Sequence, residues 1–254
     1  MSLNLHQGWV LVITIMLHGC VSGTMTQTAQ ATFTAKADLL HETQDYPQLI
    51  THYKTYLKQN RDDVTIQMAL IDAYLLANDL DSADFHYQRL NKQSQTSAEG
   101  YWLGAKIAFA KNQLDVAIEL GTQALALRPD FAEVENLLGM AHASKGDMNR
   151  AWHYFYAARE NLFDDATIKN NLAVIDILLK DYQLAISRLE PLYQAGRRDD
   201  TLIANLALAY AKAGHYEPFQ ALYINRYNAS EREALFVALR MAVTNGAPSS
   251  VESP

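Results

Sequence analysis

Cysteine is almost absent from this sequence: Cys20 is the single thiol in 254 residues. A lone cysteine excludes an intramolecular disulfide framework and any cysteine-rich metal site. Proline and glycine are sparse, at 6 and 11 residues, which argues against a turn-rich all-β architecture. Positive charge is in deficit, with 21 Lys and Arg against 28 Asp and Glu and a net charge of −7. That balance weighs against nucleic acid as a partner, because neutralising phosphates takes a surplus of Lys and Arg. No Gly-rich phosphate loop, His-Glu-x-x-His or Gly-x-Ser-x-Gly motif occurs. The acidic run from Asn78 to Asp84 lacks the glycine and terminal glutamate of a calcium loop. The eight histidines are scattered. The sequence therefore predicts no catalytic residue, no metal, no cofactor and no small-molecule substrate.

What is present begins with a short apolar run, Trp9 to Leu17. A permanent membrane span takes roughly 20 apolar residues, so this run fits the core of a signal peptide instead. It ends in Leu17-His18-Gly19-Cys20, which resembles the lipobox of bacterial lipoproteins, with His18 where a small residue is usual. Met1 to Gly8 carries no Lys or Arg, another departure from the pattern. The resemblance implies removal of residues 1–19 and acylation of Cys20. Several acyl chains would hold the protein firmly, at about 0.8 kcal/mol per buried methylene. Ser22 stands where an Asp would favour the inner membrane, so the resemblance implies the outer membrane, facing the periplasm. Residues 20–32 are small, polar and uncharged, the composition of a flexible tether.

From there the chain repeats. Leu138-Gly139, Leu172-Ala173 and Leu206-Ala207 are spaced by 34 residues, and stepping back reaches Gly104-Ala105 and Leu70-Ile71. In the same phase run three more columns. Ala83, Ala117, Ala151, Ala185 and Phe219 form one. Tyr87, Gly121, Phe155, Leu189 and Tyr223 form the next, and Leu90, Ala124, Ala158, Leu192 and Arg226 the last. Pro129 closes its repeat. Period and columns resemble the tetratricopeptide repeat (TPR) family, whose unit is a helix–turn–helix. Small residues let two helices approach, and large ones fill the space between neighbouring units. The expected fold is all-α: a right-handed superhelical TPR solenoid over residues 33–243, with five to six repeats and a capping helix. Units start near Val64, Ala98, Ala132, Ala166 and Asp200, with a degenerate one near Gln30. Pro218 falls early in a second helix, where a first-turn proline is tolerated. Ser230 and Glu233 predict a capping box for the last helix, and residues 244–254 read as a disordered tail.

In such an array the first helices of the repeats line a concave face. Helical spacing places Trp102, Lys106, Phe109, Asn136, Met140, Asn170, Asn171, Val174 and Asn205 outward on it, with Met68, Asp72, Ile177 and Leu208. This set is the candidate protein-binding groove. Asn136 and Asn170 share one repeat position, and Asn171 and Asn205 the next. Each carboxamide offers donor and acceptor, so the ladder either grips a peptide backbone or satisfies polar groups between helices. Trp102 and Phe109 either anchor apolar side chains or pack between repeats, and packing is the favoured reading. Lys106 and Lys212 are too few and too far apart for a clamp on a terminal carboxylate.

Leu189-Glu190-Pro191-Leu192, flanked by Asn170-Asn171-Leu172-Ala173 and Ala204-Asn205-Leu206-Ala207, resembles the TadD family of tight-adherence (Tad/Flp) pilus lipoproteins. The resemblance covers mainly residues 98–240. It implies an outer-membrane scaffold that assists pilus assembly, pilotin-like towards a secretin or other pilus component. Three alternatives stay open: a type IV pilus pilotin, an NlpI-like adaptor for peptidoglycan enzymes, and a soluble TPR adaptor.

Overall fold

The computed structural model describes residues 27–242, so the expected signal peptide, Cys20 and the tail from residue 244 lie outside the described residues. The chain divides into two compact units, Met1–Asp45 and Tyr46–Pro254. In the first, α1 spans Gln27–Glu42. It begins inside the stretch expected to be a tether. No glycine or proline occurs between Gly23 and Pro47, so nothing in residues 27–32 breaks a helix.

The second unit is a succession of helices, and no strand occurs among the described residues. They are α2 (Tyr46–Leu57), α3 (Val64–Leu76), α4 (Leu80–Gln88), α5 (Lys92–Gln95), α6 (Ala98–Ala110) and α7 (Leu114–Leu127). There follow α8 (Ala132–Ser144), α9 (Met148–Glu160), α10 (Asp165–Leu178), α11 (Tyr182–Gln194), α12 (Asp200–Ala213), α13 (Tyr216–Leu222) and α14 (Ala229–Met241). Four of the five expected repeat starts coincide with helix starts. The fifth, α10, begins one residue before Ala166, because Asp164 caps it by accepting from the Thr167 backbone N–H at 2.8 Å.

The period is written into the backbone. Gln44, Asn78, Asn112, Gly146, Lys180 and Gly214 all have positive φ, between 56° and 81°, and each lies 34 residues after the last. Within the second unit, Asn78, Asn112, Gly146, Lys180 and Gly214 turn the chain from the first helix of a repeat to the second. Asn and Gly adopt this left-handed conformation readily, whereas Lys180 does so at a cost. Asp79, Asp147 and Asp181 follow at once and cap the second helices, accepting from the N–H three residues on. Asp63, Ser97 and Asp199 cap first helices in the same manner.

The small-residue column is fully enclosed: Ala83, Ala117, Ala151 and Ala185 expose nothing, nor does Phe219. Beside it lie Phe155 and Leu189, also buried. Burying a side chain of that size contributes about 1.5–3 kcal/mol. Each first helix packs on the second helix of its own repeat and on the first helix of the next, as in α6 on α7 and α8. No second helix packs comparably on its successor. The first helices thus crowd on the inside of the curve and the second helices splay on the outside.

Two local expectations change. The last helix is capped by Asn228, not Ser230: Asn228 Oδ1 accepts from the Glu231 N–H at 3.0 Å, and the Glu231 carboxylate accepts from the Asn228 N–H at 2.9 Å. The same box chemistry is available two residues earlier, and Ser230 falls inside the first turn. Ile177 does not face outward but is buried in the core with Leu202 and Leu206.

Candidate functional site

The inner face is built by first helices α3, α6, α8, α10 and α12, and side chains one repeat apart join them. Lys106 of α6 pairs with Asp72 of α3. Asn171 of α10 donates to the Asn136 carbonyl oxygen of α8 at 2.8 Å, and Asn205 of α12 donates to the Asn170 carbonyl oxygen of α10 at 3.0 Å. The asparagine ladder therefore spends part of its capacity on itself, carboxamide to carboxamide between repeats. Asn136 is buried, while Asn170, Asn171 and Asn205 stay partly exposed. An amide has four hydrogen-bonding sites, and these bonds use one on each. The pairs hold neighbouring repeats in register and leave polar capacity on the surface.

The aromatic pair has mixed duties. Trp102 packs on Phe131 of the next repeat at 5.3 Å between ring centroids, and the Lys106 ammonium sits 4.7 Å from its ring. Its remaining surface lines a cavity. Phe109 packs with Met140 about Ala105, Ala108 and Leu137, the inter-repeat role favoured from the sequence. Met140 also touches the neighbouring core around Phe155. Val174 is partly exposed on α10.

Two cavities open along this face. The larger, about 710 Å³, lies between α3 and α6 and is lined by Val64, Met68, Ala69, Trp102 and Leu103, with Asp72 and Glu99 at its polar margin. Both carboxylates are neutralised, Asp72 by Lys106 and Glu99 by Arg128 at 2.8 Å. A break in the repeat makes the space. The second helix α4 stops at Gln88, and Asn91 caps the separate turn α5 by accepting from the Ser94 N–H at 2.8 Å. Gly100 lets that turn pass closely, since a Cβ there would lie 1.9 Å from the Ser94 carbonyl oxygen.

The smaller cavity, about 250 Å³, is lined by Thr167, Asn170, Asn171, Leu192, Arg197 and Asp199 among others. It stands three repeats from the first and in phase with it, Asn170 and Asn171 occupying the positions of Met68 and Ala69. One face thus offers an apolar recess at one end and an amide-rich recess at the other.

Of the expected groove residues, Trp102 joins the first cavity, with Lys106 against its ring, and Asn170 and Asn171 join the second. Asn136 and Asn205 act as their inter-repeat partners; Phe109 and Met140 belong to packing. The sequence reading missed Val64, Ala69, Asn91 and Glu99. Stepping back three repeats from Asn170 and Asn171 would have reached Met68 and Ala69. It also missed two buried links between the helices of one repeat. Glu135 accepts two hydrogen bonds from the Asn161 amide at 3.0 and 2.9 Å, and burial raises its carboxyl pKa. Asp176 accepts from Arg188 Nε at 2.6 Å, and burial raises its pKa against the pull of that partner. Among the described residues, no cluster of His, Cys, Asp or Glu could hold a metal ion. No described helix is long and apolar enough to cross a membrane.

No model of a known protein family matches the sequence. A stretch of 118 residues, 46% of the chain, is 29% identical to tetratricopeptide repeat protein 21B of Xenopus laevis and spans 9% of that protein. Solved structures match over far more of the chain. A thermophilic TPR protein of Thermus thermophilus aligns with TM-score 0.63 at 19% identity, covering 71% of this chain and 98% of its own. PilW, a widely conserved type IV pilus biogenesis factor, aligns with TM-score 0.66 at 15% identity, covering 83% of this chain and 100% of its own. PilF of Pseudomonas aeruginosa aligns with TM-score 0.61 at 13% identity, covering 83% and 97%. At these identities the likeness is one of fold. These structures show the fold: an all-helical TPR solenoid, in keeping with the 34-residue period.

Proposed function

We propose that this chain is a lipid-anchored protein-binding scaffold of the outer membrane, facing the periplasm, which assists assembly of a Tad/Flp pilus apparatus in a pilotin-like role towards its secretin. The observation that carries the scaffold role is the inner face itself: two recesses at one repeat phase, one apolar and one amide-rich, on helices locked together by Asp72–Lys106 and the asparagine pairs. An extended segment laid along it would place apolar side chains near Trp102 and backbone amides near Asn170 and Asn171. Partner binding then needs no moving part of the scaffold. Cys20 supplies the anchor, and the Asn-Leu-Ala and Leu-Glu-Pro-Leu segments supply the link to the Tad family. A second reading, service to a type IV pilus secretin, is favoured by the fold likeness to PilW and PilF over 83% of the chain.

The test deletes the gene, restores wild type or Cys20→Ala, and measures heat-resistant secretin multimers in outer-membrane fractions. Multimers should fall in the deletion and return only with the wild type. Normal multimers in the deletion would remove the pilotin role and favour a general periplasmic adaptor. Which secretin loses its multimers, that of the Tad or of the type IV system, separates the two pilus readings.

A further inference from the structure

Ten of the twenty Lys and Arg residues of the second unit form an ion pair among the described residues. Lys106, Lys111, Arg128, Lys145, Arg159 and Arg188 each pair with a carboxylate. Of the ten that do not, four stand together: Lys54 and Lys58 of α2, Arg61 of the turn after it, and Arg89 after α4. None forms an ion pair among the described residues, and all four surround one cavity of about 450 Å³. Leu57, Leu70 and Leu90 line the same cavity, and no Asp or Glu does. In a chain of net charge −7, this is a local reversal of sign.

Nearby groups reinforce it. His86 lies on the lining, stacked on Tyr74 at 5.2 Å. Burial chiefly lowers its pKa, and the charges of Lys54 and Arg89 lower it further against the opposing charge of Asp79. Asp63 caps α3 and accepts from the Tyr56 hydroxyl at 2.9 Å, and it does not line the cavity. Arg89 rests over the Phe85 ring at 5.3 Å, which leaves its guanidinium edge without a carboxylate. No residue of this cavity lines the inner-face recesses, so it is a separate wall of the solenoid.

We propose that this cavity between α2, α3 and α4 is a second docking site, for a short acidic peptide segment whose carboxylates meet Lys54, Lys58, Arg61 and Arg89 while an adjoining apolar side chain enters against Leu57, Leu70 and Leu90. Cationic rim and apolar lining together select alternating acidic and apolar residues. The acidic remainder of the surface repels such a segment and directs it here. The inference rests on the scaffold reading, but the secretin assay in cells and a binding assay on purified protein fail independently.

The binding assay uses the full-length processed protein in detergent and a dye-labelled octapeptide of alternating Glu and Leu. Its counterpart carries Gln for Glu. The Glu peptide should bind about tenfold tighter, a difference of about 1.4 kcal/mol. Added salt should erode that preference. The exposed double variant Lys58→Glu/Arg61→Glu should abolish it without changing helix content, and Trp102→Ala should leave it intact. Equal affinity for both peptides, or an undiminished preference in the double variant, overturns the proposal. So does charge-dependent binding to phosphatidylglycerol vesicles with no preference between peptides, which would make the site a membrane contact.

Discussion

Glu135 is the acidic residue on which the middle of the solenoid leans. Its side chain is enclosed at the start of α8 and takes both its hydrogen bonds from Asn161, at the end of α9. Burial is the largest cause of its raised pKa, followed by the opposing Asn161 bonds and the charges of Asp130, His153 and Glu160. A carboxyl whose folded pKa exceeds its unfolded value holds its proton more tightly in the folded state. The stability linked to that proton is fully present below the unfolded pKa and is lost as pH rises through the folded one. Glu135→Gln removes the titration and keeps an acceptor for Asn161. Thermal unfolding of the two proteins from pH 4 to 7 should therefore show the variant gaining on the wild type as pH rises. A gap between midpoints that stays constant with pH would mean that the carboxylate is as comfortable folded as unfolded.

At the scale of elements, glycine decides how closely helices pack. A Cβ on Gly139 of α8 would stand 2.6 Å from the Phe155 ring of α9, and Phe155 is buried with nowhere to turn. Alanine brings about 1 kcal/mol of helix propensity. Overpacking costs about 1–3 kcal/mol, so the clash should win. Gly139→Ala should lower the melting midpoint by about 2–4 °C for each kcal/mol of net loss. Adding Phe155→Leu should recover part of it. A midpoint at or above wild type for the single variant would show that the helices can separate without cost. These contacts explain why the fold was legible in the sequence. Gly139, Ala151 and Phe155 must recur at one spacing if helices are to stack, so periodicity reports packing directly. The site was less legible for the same reason. Surface residues need not repeat, so helical spacing gave the face of Trp102, Asn170 and Asn171 but not what they touch. The α4–α5 break that opens the larger cavity depends on the Asn91 cap, a local competition that columns do not record. Lys54, Lys58, Arg61 and Arg89 are scattered through 36 residues and meet only once α2 to α4 are folded.

For the second unit as a whole, linear stacking governs how stability is shared. Each repeat touches its neighbours only, so a defect at one end is felt mostly at that end. The C-terminal end is closed by α14, whose Phe236 lies 5.1 Å from both the Tyr216 and Phe219 rings. Lys212 of α12 also donates to the carbonyls of Arg240 and Ala242 at the end of that helix. Removing a buried phenylalanine side chain costs about 3–5 kcal/mol. In a fully cooperative globule, Phe236→Ala would lower the protection of every core amide equally. In a nearest-neighbour stack it should lower protection in α12 to α14 and leave α6 to α9 nearly unchanged. Native-state hydrogen exchange read by peptide mass distinguishes the two. Loss confined to the C-terminal helices would mean that the recess at Met68 and Trp102 keeps its shape while the far end frays. Equal loss along the chain would mean that the repeats are coupled into one unit, and that a partner held at either end reports its presence to the other.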